Sequence, residues 1–525
     1  MQIAAAAQQG GGGNAARGSS GRGAGRGGGG RGGGRGRGRR FDSCDQAPPA
    51  KQASFPGRFP EQPLTAIVGG GLSGLVCAQE LARRGLRTVV FDTGEHGVGG
   101  RLATRASADG SLKGAPPGLV FDHAAQFFTA THPSFQCMVD QWEADGAVRR
   151  WDGPVGALRD GAFSPDPATQ PRYVGARGMR SLATYLAGAA SRALQEAQGG
   201  AATGIEGLVE VRQPQWVSEA RWTPDGWLLS GRGRDQGLFD AVVIAHNGKC
   251  ANRLASPMGV PQVHSQLRRL KLSANWALLV AFAAPVAVPG GLEGAFIQGS
   301  DVLSWAGNNS KKLGQAGGAE CWTLFSTQAY GSANKVPQEN VPAEVSERVT
   351  REMLAAFERS LGLAQGALPP VVYSRTQLWG AALPINSPRV PAIWDPMGRA
   401  GVCGDWVLEG GSMQAAALSG AALAHQIAAS CGRQPTDLAG LALGLDTPFK
   451  QAGGEEIGCF PGQQQHAPPP QQQRQQGGQQ REQQGARQQR QRRQQQASDR
   501  PAGWRRGAAA ETETPPALLA RPRRR

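Results

Sequence analysis

The chain has 525 residues, 77 of them glycine, and a formal net charge of +16. Residues 1–62 and 451–525 each carry +7, so the middle is left near neutral at +2 and the basicity belongs to the ends. The longest apolar run, 277–288, is too short to span a bilayer and contains Pro285, and the eight cysteines form no C-x-x-C pair and no zinc-type spacing.

Residues 1–62 read as a disordered basic leader, because Gly, Ala and Arg bury too little apolar surface to offset chain entropy. Residues 1–41 contain no acid. That composition fits an organelle transit peptide, an arginine–glycine nucleic-acid-binding tail (Arg22, Arg26, Arg31, Arg35, Arg37, Arg39), or low-complexity filler. No aromatic interleaves the arginines before Phe41, which weakens the RNA reading, and no apolar segment of secretory type is present.

An apolar run, Leu64 to Val68, ends abruptly in Gly69-Gly-Gly-Leu-Ser-Gly74. A helical pattern follows (Leu75, Val76, Ala78, Leu81, Ala82), Gly85 stops it, and a second strand from Arg87 to Phe91 ends in Asp92. Strand, glycines spaced G-x-G-x-x-G, helix, strand and acid together form a dinucleotide-binding unit. Gly69 permits the turn, Gly71 lets a pyrophosphate approach the backbone, and Gly74 lets helix and strand pack closely. The helix start, with Leu72 and Ser73, offers N–H groups and a positive dipole end to the phosphates, and Asp92 is placed for ribose hydroxyls. Next come Gly99, Gly100 and Arg101, two glycines that let the backbone pass close to the cofactor and a guanidinium for the pyrophosphate.

G-x-G-x-x-G, an acid closing the second strand, then G-G-R resembles the glutathione-reductase-type flavoproteins that include monoamine oxidase. The stretch Phe121-Asp-His-Ala-Ala-Gln-Phe-Phe-Thr-Ala130 resembles the F-D-H-G-A-Q-Y-F-T-A segment of the renalase family and its bacterial and plant relatives. The resemblance implies that Ala125 and Gln126 lie beside the flavin ring. Ala124 departs from the usual glycine, and Asp122 and His123 are read as orienting the loop.

Residues 133–145 are amphipathic, with Phe135, Met138, Val139 and Trp142 on one face. Arg172-Tyr-Val-Gly175 and Gly178-Met179 keep the order of the same family, and a helix follows through Leu182, Leu186 and Ala190. Residues 209–211 read as a strand, and in the family the segment around Val211 touches the adenine. A hairpin is expected around Asp225-Gly226, and 239–245 is a buried strand of a central parallel sheet. His246 to Leu254, at that strand's carboxyl end, resembles the plant and algal branch; Lys249 is read as an exposed loop residue.

Residues 264–390 mix strands (276–282, 322–326) with a helix (344–361), and Trp305, Trp322 and Trp379 are candidate cage walls. Trp379-Gly-Ala-Ala-Leu-Pro384 resembles the family's W-x-x-A-x-P, with Gly380 where a basic residue is common. Last come Gly404-Asp405, a glycine loop through Gly411 and Ser412, and an Ala-rich helix from Met413. The resemblance gives Asp405 to the ribityl hydroxyls and the helix start at 411–413 to the flavin carbonyl edge.

The expected fold is α/β: a two-domain glutathione-reductase-type FAD-binding fold with a Rossmann-like cofactor domain, a mixed-sheet substrate domain and disordered tails. The expected FAD-binding segments are 63–118, 172–255 and 395–434; the substrate-domain segments are 119–171 and 256–394; 435–525 is a disordered Gln/Arg-rich tail. The family implies an FAD-dependent oxidoreductase that takes hydride from a small donor, either a dihydronicotinamide isomer of NAD(P)H type or an amine, and passes the electrons to oxygen or another acceptor; a monomer is expected, and the residues offer no metal cluster. A desaturase or monooxygenase acting on an apolar substrate, or an RNA-binding protein working through its tails, are the alternatives. The leader and the plant-type resemblance point to the chloroplast, with the cytoplasm as alternative.

Overall fold

The computed structural model describes residues 52–167, 170–197, 208–315, 317–408 and 411–452. The leader up to residue 51, Gly410 of the last glycine loop and the chain from 453 lie outside the described residues.

The glycine-rich turn is set where it was read: β1 (Thr65–Val68), α1 (Leu72–Ala82) and β2 (Thr88–Phe91) form one βαβ unit, with β1 and β2 parallel and in register from Thr65↔Thr88 to Val68↔Phe91. A short hairpin follows, β3 (Thr104–Ala106) against β4 (Val120–Asp122), then α2 (Pro133–Ala144). The hairpin β5 (Val155–Arg159) and β6 (Ala162–Pro165) precedes α3 (Arg180–Ala197) and β7 (Val209–Arg212). A three-stranded meander covers 219–239, with its first turn at the expected Asp225-Gly226. β8 (Ala241–Ile244) is buried along its length and leads into α4 (Gly248–Ala255).

The second half supplies β9 (Asn275–Phe282), β10 (Gly294–Ile297), β11 (Leu303–Asn308) and β12 (Glu320–Ser326). After them come α5 (Ala343–Ser360), β13 (Val371–Trp379), β14 (Ile393–Asp395), β15 (Ala400–Val402) and α6 (Met413–Ser430).

Two large sheets result. The first runs β14-β15-β8-β1-β2-β7 and is parallel except for the edge strand β14. It draws strands from three distant parts of the chain, and β1 lies between β8 and β2, where a parallel sheet opens a crevice at its carboxyl edge. The second runs β13-β9-β12-β11-β10-β5-β6 and is antiparallel except where β10 meets β5. Its alternating side chains serve two cores: Trp322, Val280 and Leu324 pack under Val349, Met353 and Phe357 of α5, whereas Trp305, Phe325 and Ala277 join the core shared with α1 and α2.

Four expectations are corrected. The leader does not run to residue 62: Phe55 and Phe59 are buried, with Phe59 edge-on to Trp394 and Arg399 over both phenylalanine rings. Nor does the packed chain stop at 434, since Leu438 and Ala452 are buried. Residues 256–269 go with the first sheet, because Val263 and Leu267 of the helix Pro261–Arg269 pack with Val242 and Val402. Lys249 is exposed as expected but stands on α4 rather than in a loop.

Candidate active site

The turn after β1 is built by three glycines with three different duties. A Cβ on Gly69 would lie 2.8 Å from the Ala245 carbonyl oxygen, and one on Gly74 would lie 2.1 Å from the Gly69 oxygen and 3.0 Å from the Ala245 methyl group. Both positions are closed by protein. A Cβ on Gly71 would meet nothing within 4 Å. Gly71 is also the N-cap of α1, with no side chain capping the helix, so the open space lies in front of a helix start that needs hydrogen-bond acceptors. Leu72 and Ser73 are buried in the first turn, and Gly420 of α6 sits so close to Ser73 that a Cβ there would be 2.2 Å from its carbonyl oxygen. Asp92 accepts from the Gly70 N–H at 2.9 Å and the Gly94 N–H at 2.7 Å, which fixes its carboxylate at the end of β2.

The second glycine pair packs on the first. Gly99 N–H donates to Gly70 O at 2.8 Å, and Gly100 lies against Gly71. This brings Arg101 to the mouth of the crevice, where the distant motifs meet. Arg101 Nη1 donates to Asp405 Oδ2 at 2.6 Å and Nη2 to Oδ1 at 2.7 Å, a two-pronged pair across 304 residues. Nη1 also donates to Ala382 O at 3.0 Å, within the W-x-x-A-x-P stretch. The Arg101 carbonyl accepts the Ala125 N–H at 3.0 Å. The Asp405 side chain is 5% exposed and that of Arg101 34%, so the guanidinium keeps an open side.

Ala125 is half-buried at this opening. Gln126 is not open in the same way: its amide donates to Asp122 O at 2.7 Å and Ala124 O at 3.2 Å, and Lys312 Nζ reaches its backbone oxygen at 3.2 Å. Lys312 also pairs with Asp122 Oδ2 at 2.9 Å in the interior. The other Asp122 oxygen accepts from Thr104 Oγ1 at 2.6 Å and from Met179 N–H at 2.8 Å. Asp122 thus ties β3, β4, the start of α3 and the segment after β11 together, the loop-orienting duty read from the sequence. Its lysine partner, 190 positions away, carries no local signal.

Among the three tryptophans, Trp305 and Trp322 are buried and Trp322 donates to Glu320 at 2.9 Å, so neither walls an open cage. Trp379 is half-buried, donates from Nε1 to His123 O at 3.1 Å, and packs on the His123 ring at 5.1 Å between centroids. Lys335 Nζ donates to Gly380 O at 2.8 Å, so an ammonium from another segment stands where the sequence lacks a basic residue. Burial, reinforced by the charges of Arg105, Arg375 and Arg180, pushes His123 down to about 3.

At the other end of the crevice, Val98, Val209, Val211 and Gln213 line a cavity of about 480 Å³ beside Arg180. At the carboxyl side, Gly404 N–H donates to Ser419 Oγ at 3.2 Å, Ser412 caps α6 by accepting the Ala415 N–H at 3.1 Å, and Gly411 packs on Pro384 just before Met413.

The family description NAD(P)-binding Rossmann-like domain matches residues 67–142. Among curated proteins the chain is similar to the carotenoid phi-ring synthase of Streptomyces griseus, 32% identical over 110 residues. That match covers 21% of this chain and spans only 18% of the length of that relative. Among solved structures it is similar to wild-type putrescine oxidase bound to putrescine, with a TM-score of 0.45 and 14% identity over 70% of this chain and 99% of that one. Cyclohexylamine oxidase from Brevibacterium oxydans gives a TM-score of 0.46 and 14% identity over the same shares. An oxidoreductase from Methanosarcina mazei gives 0.46 and 13% identity over 69% of this chain and 100% of that one.

Proposed function

We propose that the protein is an FAD-dependent oxidoreductase of renalase-like, amine-oxidase type that takes hydride from a small donor and passes the electrons to oxygen or another acceptor. The observation that carries this reading is the meeting of four separated motifs at Arg101: its own glycine pair, Ala125, Ala382 and Asp405. A dinucleotide held by one βαβ unit has no need of the later three.

The residues fit such a cofactor. The free space at Gly71 and the uncapped α1 suit a pyrophosphate, with the open side of Arg101 beside it. Asp92 and Val211 belong to the adenosine end; Asp405, Gly404 and the start of α6 belong to the ribityl and flavin end. When bound, the flavin supplies the redox chemistry, accepting hydride and returning the electrons. The chain's part is positioning: Ala125 and Trp379 border the space for the donor, and the buried Asp122–Lys312 pair holds the Ala124–Gln126 backbone in place. The neutral, buried His123 supports Trp379 rather than moving protons.

The test is the colour of the purified protein and its bleaching, without oxygen, by dihydronicotinamide isomers or amines. A yellow protein bleached by either donor is expected. Well-folded protein that stays colourless after incubation with FAD would overturn the reading. A second reading, a desaturase acting on an apolar lipid, is favoured by the 32% identical stretch shared with the carotenoid phi-ring synthase. Bleaching by carotenoid-like lipids alone would select it.

A further inference from the structure

Three segments far apart in the chain meet at one place on the surface. The helix Pro261–Arg269 ends in Arg268 and Arg269, and Lys271 follows. Asn386 joins this end to the second segment: its Nδ2 donates to Arg269 O at 2.8 Å, and its Oδ1 accepts the Lys271 N–H at 2.7 Å. Asn386–Ser387 in turn pairs antiparallel with Lys450–Gln451. Arg269 Nη1 donates to Thr447 O at 3.2 Å and Arg389 Nη2 to Gln451 O at 3.4 Å, so the third segment is tied to both of the others.

The meeting place is basic. Residues 261–271, 384–390 and 445–452 carry Arg268, Arg269, Lys271, Arg389 and Lys450 against a single acid, Asp446, which accepts from Gln262 Nε2 at 3.1 Å. All five cations are exposed. Arg268, Arg269, Lys271 and Lys450 form no ion pair among the described residues. A helix end favours cations, which accounts for Arg268 and Arg269 but not for the charges that arrive on other segments. Like charges gathered in this way repel one another unless a polyanion covers them.

Both basic ends of the chain depart from the same neighbourhood. Ala452 N–H donates to Ile385 O at 3.1 Å, within the cluster, and residues 453–525 carry thirteen arginines against six acids. Ala53 N–H donates to Gly259 O at 2.8 Å, just before the start of the same helix. That helix has nine residues, so the two departures lie about 14 Å apart along its axis. The exposed large apolar side chains of the described residues, Trp216, Leu238, Val371 and Val372, belong to none of the three segments. The cluster therefore has nothing to insert into a bilayer and no exposed aromatic on which a base could stack.

We propose that this cluster docks the phosphate backbone of a nucleic acid, without reading its sequence, and that the arginines of 453–525 extend the contact. The proposal goes beyond the flavoenzyme reading and does not rest on it, since the cations stand apart from Arg101 and Asp405 and need no coenzyme.

Fluorescence anisotropy of a short labelled oligouridylate, titrated with the full-length protein at rising potassium chloride, tests it. Log affinity should fall linearly with log salt, because each phosphate contact releases counterions. Arg268→Gln/Lys271→Gln/Lys450→Gln removes three of the contacts. At about 0.7 per contact it should flatten the slope by about two, and it should weaken binding at least about tenfold at about 100 mM salt. Arg159→Gln/Arg351→Gln/Arg359→Gln, exposed on β5 and α5, lowers the net charge equally and should leave the slope within about half a unit of wild type. Should the first variant fail to melt cooperatively, Lys271→Gln/Lys450→Gln takes its place, with a change of about 1.4 expected. No binding by wild type at low salt overturns the proposal. So does an unchanged slope in the cluster variants, which would leave the contact to the chain ends alone, or equal flattening by both triple variants. Capture on phosphatidylserine vesicles that oligouridylate cannot displace would assign the cluster to a membrane surface instead. Flavin colour plays no part in the readout, so a colourless sample sinks the flavin reading separately.

Discussion

A single methyl group separates the two kinds of glycine in the first turn. Gly71 has a φ of −79° and open space around its would-be Cβ, whereas Gly74 has a carbonyl oxygen 2.1 Å from its own. Gly71→Ala should therefore cost less than about 1 kcal/mol of stability while weakening FAD retention by about tenfold. Gly74→Ala should cost about 1–3 kcal/mol or more of stability, as overpacking does. Thermal melts and flavin loss on dilution separate the two; matching losses in both variants would refute the distinction. His123 makes a second residue-scale prediction. Its folded-state value of about 3 lies below the ordinary histidine value, so the unfolded chain binds the extra proton. The neutral ring's contribution is thus fully present above about pH 6.5 and is lost as pH falls towards 3. Between those limits the stability difference between wild type and His123→Asn should change by up to about 1.4 kcal/mol per pH unit. Denaturant titrations from pH 4 to 8 check it, and a difference that does not vary with pH would refute the buried neutral ring.

Elements met by local pattern were legible; elements joined only in space were not. The strand ending in glycines, the helix closed by Gly85 and the acid at Asp92 lie within one continuous stretch, and their spacing alone identifies β1-α1-β2. Asp405 stands out in the same way, at a strand ending in Gly-Asp ahead of a small-residue helix. Its bond to Arg101 was not legible: the sequence suggested a phosphate for the guanidinium and ribityl hydroxyls for the carboxylate, and proximity across 304 residues leaves no periodic trace. The Asp122–Lys312 pair was hidden for the same reason. A prediction at this scale uses the link itself. Removing one member of a buried pair strands the other, so Asp405, being the more deeply buried, should suffer most. Arg101→Met should destabilise the fold by about 1–3 kcal/mol, the exposed side of the guanidinium tempering the loss, and Arg101→Met/Asp405→Leu should recover part of it. Additive losses in a double-mutant cycle would show that the two side chains do not depend on each other.

At the scale of the molecule, composition located the packed region but misplaced its edges. Residues 52–62 share the glycine- and proline-rich character of what precedes them, and only Phe55 and Phe59 mark the change. Both are buried, and Arg399 secures them, donating to Gly57 O at 3.1 Å and Arg58 O at 3.0 Å. Phe59→Ala should cost about 3–5 kcal/mol, seen as a lower denaturant midpoint, against a near-zero effect if this strap were loose.

The long reach from Arg101 to Asp405 also sets an order of events during synthesis. At about 5–20 residues per second, the ribosome needs roughly 15–60 s to pass from the first of these positions to the second, 304 residues later. For that interval the nascent chain owns the glycines of the first turn and an arginine whose carboxylate has not yet been made. If the proposed coenzyme binds here, the link that would enclose it closes only as a last act, after nearly the entire packed region has emerged.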